Sequence, residues 1–292
     1  MTSSPASPSQ PPQAAFRPGF KMWSFNTWII VINIAVFVLD WLLLSRGIGY
    51  RVDFLPAAND QNIMGVIEYW GHFSQALAIE QGQVWRFLGF QFLHAGFFHL
   101  FSNMIVMYFF GPMIEAYLGP RRFLAYYLLC GIAGPVAYLL MSAAGYLASP
   151  PWMPPGRAHY IPLIGASAGV FGIIIGAARV APDVEVMLLI PPVPMKLKTL
   201  AWFLVGLAAY TVIFFGDRAG YNAGGEAAHL GGAALGYLLI RRAHLLDWAK
   251  FRFNTWRPGG GGRDDDDDDN DPQRLRKRVR KQLRDVEQRN KR

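Results

Sequence analysis

The sequence predicts an all-α membrane protein, a six-transmembrane-helix bundle with a long first external loop and disordered termini. Three observations carry that prediction. Of the 292 side chains, 52% are hydrophobic and only 16% are charged, a balance too apolar for an ordinary soluble domain of this size. Six apolar windows of about helical-span length occur at 27–45, 97–118, 123–147, 164–180, 200–215 and 226–240. Lysine and arginine gather in short connections between alternate windows and in the C-terminal tail, as they do in cytoplasmic loops.

The first 22 residues, rich in Pro, Ser and Gln, cannot bury enough surface to fold and read as a disordered tail. They lack the apolar centre of a signal peptide, and no small-residue cleavage site follows, so the first window is a retained span. Within it, Asn33 and Asp40 read as helix-contact or interfacial polar residues. The external segment 47–96 holds scattered charges, Trp70 and Trp85; it is too apolar for a tether and predicts short amphipathic helices in the membrane interface. Lys21, the pair Arg121 and Arg122, the group Arg179, Lys196 and Lys198, and then Arg241 and Arg242 fall on one side if both termini are cytoplasmic. The expectation is thus an integral multi-pass protein of the cell membrane, with its membrane domain at 23–243. In the tail, 244–292, Pro258 and the glycines 259–262 form a linker, followed by six aspartates at 264–269 and a basic stretch from Arg274. Leu275, Val279, Leu283 and Val286 recur at helical spacing, which leaves open a short basic helix on anionic lipid or plain disorder.

The formal charge of +8 does not point to nucleic acid, because no basic stripe interleaved with aromatics is present. The single cysteine, Cys130, excludes an intramolecular disulfide and a thiolate metal cluster and reads as packing. No cofactor is implied. The expected surroundings and partners are the lipid bilayer and other membrane proteins, and the oligomeric state stays open.

The fourth window contains LIGASAGVFG, in which Gly165-x-Ser167-x-Gly169 matches the nucleophile elbow of serine hydrolases. Ser167 lies twelve residues before Arg179, and in the sixth window His229 lies twelve before Arg241. At helical rise both sit about 18 Å from the inner boundary, hence roughly 12 Å below the outer surface of a core about 30 Å thick. An intramembrane histidine is expensive and faces a cavity or a polar partner, so function is its default reading. The second window adds His99 and Asn103, four residues apart and so on one helical face. A serine needs a base and an oxyanion needs donors, and these four residues supply both; interhelical hydrogen bonding is the plainer reading of the His99 and Asn103 pair alone. Gly165, Gly169, Gly172 and Gly176 form a stripe roughly opposite Ser167, whereas Gly232 and Gly236 share the face of His229 and allow a close helix approach.

With HLFSN, GASAG and AHLGGAALG in that order on the second, fourth and sixth windows, the sequence resembles the rhomboid intramembrane serine proteases. The resemblance covers about 84–242 and includes VWRF, FLHAGFFHLFSN, FFGPMIEAYLG and PVPMKLK. It implies a rhomboid-like bundle that cuts transmembrane segments of membrane-anchored proteins, with Ser167 as nucleophile and His229 as its base. It also implies that His99 and Asn103 contribute to the oxyanion hole, that Phe171 supports the imidazole, and that no third triad carboxylate is present. Ala168 departs from the glycine that many relatives carry after the serine; it keeps the backbone N–H but adds a methyl.

The alternative is a catalytically silent rhomboid-like protein that binds membrane clients, although such forms usually lack the serine or the histidine. A transporter would show a path of charges or broken helices near the midplane. A zinc protease would carry H-E-x-x-H, and an aspartyl protease would need two acids at one depth, which Asp40 and Asp217 do not provide.

Overall fold

A computed structural model of the protein describes residues 24–52, 63–147, 158–187, 193–216 and 222–250. The predicted N-terminal tail, Asp217, and the linker, aspartate run and basic stretch of the C-terminal tail lie outside the described residues. The fold is a helical bundle. Helix α1 (Phe25–Ser45) starts where Ser24 accepts from the backbone N–H of Thr27 at 3.0 Å. The carboxylate of Glu115, from the far end of another helix, accepts from the N–H groups of Phe25 and Asn26 at 2.9 and 3.3 Å. A carboxylate is well placed there, because the first turn of a helix has unpaired N–H groups and a positive dipole end.

The external segment that follows is ordered by short elements. Strands β1 (Gly49–Arg51) and β2 (Ile63–Gly65) pair antiparallel, Tyr50 opposite Met64. Helix α2 (Val66–Gly71), a π turn at Ala76–Glu80, helix α3 (Arg86–Gly89) and a 3-10 turn at Phe90–Phe92 complete it. Arg86 is fully buried, donating to Gln83 and to the carbonyls of Tyr69 and His72 at 2.7, 2.9 and 2.7 Å. A guanidinium can end a helix in this way by satisfying its last carbonyls. Asp40 accepts from the N–H of Ile67 at 2.7 Å, so the loop is tied to α1, while Asn33 donates within its own helix to the Ile29 carbonyl.

Helices α4 (Phe97–Leu118) and α5 (Pro120–Ala143) are joined by Gly119 alone. Its φ of +84° suits glycine, and Pro120 opens α5 at a position that needs no N–H donor. Helix α6 runs from Ser167 to Val180, and strands β3 (Glu185–Met187) and β4 (Pro194–Lys196) form a small hairpin before α7 (Leu197–Phe215) and α8 (Ala223–Arg241). Each predicted window thus holds a helix, with shifted ends. The predicted fourth span is corrected most: its first three residues are not helical, and the 14-residue α6 is about 21 Å long, shorter than a bilayer core. Helices α1, α4, α5 and α7 are long and apolar enough to cross a membrane; α8 has the length, but its Gly- and Ala-rich sequence includes Glu226 and His229.

Helix α6 is buried among α4, α5 and α8. The contacts rest on small residues. A Cβ on Gly172 would meet the Cys130 sulfur at 2.6 Å, one on Gly236 the Gly172 Cα at 2.7 Å, and one on Gly169 the Tyr127 ring at 2.7 Å, so backbones touch where side chains are absent. The Tyr126 hydroxyl, from α5, lies 2.6 Å from the Gly172 carbonyl on α6 and 3.1 Å from the Gly236 carbonyl on α8. Cys130 is buried in this contact, as packing requires. Helix α7 packs mainly on α8 and less on α6. It buries Leu197, Ala201, Ala208 and Val212 and exposes Trp202, Phe203, Leu207, Tyr210, Ile213 and Phe214.

A 3-10 stretch, Ala243–Lys250, follows α8. Leu246 is fully buried, and Asp247 pairs with the buried Arg122 of α5. The predicted domain boundary at 243 therefore falls inside a packed segment, and the bundle includes the first residues assigned to the tail.

Candidate active site

Ser167 is the first residue of α6, delivered by an extended approach rather than by a continuing helix. Phe73 and Leu163 exchange backbone hydrogen bonds of 3.0 and 2.7 Å, and the N–H of Gly165 donates to the Phe90 carbonyl at 2.9 Å. The external loop thus fixes the strand that enters the site. Gly165 then turns with φ of +133°, and a Cβ there would lie 2.9 Å from the His99 ring; only glycine meets both demands. A serine at this position has the unpaired N–H groups of the first helical turn beside it and the positive end of the dipole beneath it.

On α8, His229 Nε2 lies 2.7 Å from Ser167 Oγ. The two residues predicted to share a depth therefore meet. Phe171 stacks on the imidazole with centroids 4.2 Å apart and planes 9° from parallel, fixing the ring in its plane. A Cβ on Gly232, one turn after His229, would lie 2.6 Å from the Ala168 carbonyl carbon, which is why α8 can approach α6 so closely. The Ala168 methyl points to α5, where a Cβ on Gly134 would be 2.8 Å from it. The methyl that departs from glycine is accommodated against Gly134 of α5.

One neighbour was not foreseen. Glu226, one turn before His229, places Oε2 2.9 Å from Nδ1, a carboxylate beside the imidazole where the resemblance implied no third member of a triad. The signal in the sequence is E-x-x-H on one helix, since residues three apart share a face.

On α4, His99 Nδ1 accepts from the N–H of Ala95 at 3.4 Å. In a neutral imidazole the other nitrogen then bears the hydrogen, and a Cβ built on Gly165 would meet that Nε2 at 2.9 Å and Ser167 Oγ at 3.5 Å. Asn103 is buried and donates to the His99 carbonyl at 2.7 Å; its amide also carries a second hydrogen. The four predicted residues divide accordingly into a serine and histidine in direct contact and a second pair on α4, of which His99 reaches the serine's side. Behind them His94 packs against His99, ring centroids 5.0 Å apart, and burial first, with His99 second, pushes His94 down to about 3. It stays uncharged at neutral pH. His72, in the external loop, is pushed down to about 4, mainly by burial.

The site thus sets a hydroxyl in contact with an imidazole at a helix N-terminus inside the helical bundle. The Rhomboid domain profile matches residues 81–244, more than half of the chain, and the protein belongs to the rhomboid family. It is 28% identical over 179 residues to RHOMBOID-like protein 1 of Arabidopsis thaliana, covering 55% of this chain and 41% of that protein. Presenilin-associated rhomboid-like protein, mitochondrial, of Rattus norvegicus is 30% identical over 162 residues, 54% of this chain and 37% of the other. Inactive RHOMBOID-like protein 8 of Arabidopsis thaliana is 32% identical over 108 residues, 37% of this chain and 26% of the other. The matched region spans about two-fifths of the length of the first two of these relatives.

Proposed function

We propose that this protein is an intramembrane serine endopeptidase that cleaves transmembrane segments of membrane-anchored proteins. The contact of 2.7 Å between Ser167 Oγ and His229 Nε2 carries the reading. Nε2 takes the hydroxyl proton as Oγ attacks the scissile carbonyl carbon, and the carbonyl oxygen becomes an oxyanion. The donors proposed for that oxygen are the N–H groups at the start of α6, His99 Nε2–H and the Asn103 amide. The tetrahedral intermediate collapses as His229 passes its proton to the leaving amine, leaving an acyl-serine. Water then attacks the acyl carbon, giving its proton to Nε2, and release of the acid returns that proton to Oγ.

Substrate reaches the serine beside α7, whose outward face is apolar and whose buried residues are few. The charge of the connecting loops favours both termini in the cytoplasm. The alternative of a silent client-binding protein is disfavoured because nucleophile and base are both present and in contact. Cleavage of a transmembrane reporter in liposomes tests the choice. Ser167→Ala and His229→Ala should each abolish it while leaving the protein folded, and normal turnover by either variant would sink the assignment.

A further inference from the structure

We propose that Glu226 completes a Ser-His-Glu constellation as a positioning residue, selecting the tautomer of His229 and holding its positive charge during turnover. The inference rests on the protease reading above and adds to it a residue on the far side of the imidazole. Its ground is a line of contacts: Glu226 Oε2 to His229 Nδ1 at 2.9 Å, then His229 Nε2 to Ser167 Oγ at 2.7 Å. A neutral imidazole has one N–H and one lone pair. A carboxylate only accepts, so the Nδ1–H is spent on Glu226 and the lone pair is left at Nε2, facing the serine hydroxyl. The opposite tautomer would set a lone pair against the carboxylate and an N–H against Oγ, which blocks proton removal.

When Nε2 takes the serine proton, the ring becomes a cation with the carboxylate already in contact. Glu226 does not take that proton; it keeps its negative charge, and the proton leaves Nε2 for the amine product. Phe171 closes one ring face, leaving Glu226 to set rotation within the ring plane. The carboxylate stands in the first turn of α8, where the helix dipole favours it. Side-chain exposures of 26% for Glu226 and 16% for His229 leave the pair only partly enclosed by protein.

The test uses the full-length protein in nanodiscs, ¹⁵N-labelled at histidine, together with reporter cleavage. In the wild type, ¹⁵N spectra should show His229 protonated at Nδ1; Glu226→Ala should mix the tautomers. Glu226→Gln, which keeps shape without charge, should lower kcat by more than about 10-fold with KM unchanged, and Glu226→Asp should recover part of it. Unaltered kcat in Glu226→Gln, or an Nδ1–H signature that survives Glu226→Ala, would overturn the proposal. The spectroscopic arm does not depend on turnover: a wild type that cuts nothing would sink the protease reading, while the tautomer would still decide the role of Glu226.

Discussion

Replacing Gly232 with alanine strikes at the geometry on which the site depends. The new Cβ would meet the Ala168 carbonyl oxygen first and sit 2.6 Å from its carbon, where non-bonded carbons rest at about 3.5 Å, so the displacement worked from the carbon is a minimum. The obstacle is backbone in the first turn of α6, so α8 must retreat by about 1 Å to relieve it. His229 lies on the same face of α8 and travels with it. The separation of 2.7 Å between Nε2 and Oγ would then approach about 3.7 Å, beyond hydrogen-bond range. Misplacement by about an ångström costs on the order of 10²-fold in rate, about 2.7 kcal/mol of transition-state free energy. The assay is kcat/KM on a transmembrane reporter in liposomes, with thermal unfolding followed in parallel. Gly206→Ala on α7 is the control, because a Cβ there meets nothing within 4 Å. Wild-type kcat/KM in folded Gly232→Ala would refute the reasoning.

His99→Ala and Asn103→Ala should each lower kcat by about 10- to 1000-fold with little change in KM, since oxyanion donors act on charge that develops only in the transition state; unchanged kcat in both would reduce them to helix contacts. Glu68, in the external loop, is raised from 4.5 to about 6 by burial first and by Asp40 second. Its folded-state value lies above the unfolded one, so its contribution favours folding below about pH 4.5 and is lost as pH rises through about 6. Glu68→Gln should therefore raise Tm at pH 7 and leave it unchanged at pH 4, and equal Tm at pH 7 would contradict the burial argument. Cleavage should fall in the outer part of a substrate span, at small residues, because unwinding a helix is easier near water and at such positions. Mass spectrometry of the new termini checks this, and cuts clustered at the cytoplasmic end would overturn the depth argument.

The helices were legible because each is announced by an apolar window, and Ser167 and His229 because the basic residues ending their helices gave a common origin for counting. The start of α6 was not. Leu163, Ile164 and Ala166 are as apolar as a span, and hydropathy is blind to the backbone turn at Gly165. The approach to the serine also depends on Phe73 and Phe90, far away in sequence, whose contributions are backbone hydrogen bonds and carry no side-chain pattern. Glu226 escaped for another reason: the resemblance implied no third triad carboxylate, and this one stands one turn away on the imidazole's own helix. Asp247 lies in the segment assigned to the tail, and its pairing with Arg122, with the burial of Leu246, shows that the bundle extends past 243.

The Tyr126 hydroxyl, placed between the Gly172 and Gly236 carbonyls, has one hydrogen to divide between two acceptors. Helices that meet through glycine present a smooth surface to one another, with no interlocking knobs to oppose sliding along their axes. A slip of one turn, about 5.4 Å, would break the stack of Phe171 on His229 and carry the imidazole away from the serine. The phenol acts as a detent against that slip: held by α5, it finds both carbonyls at once only when α6 and α8 stand at the right relative height.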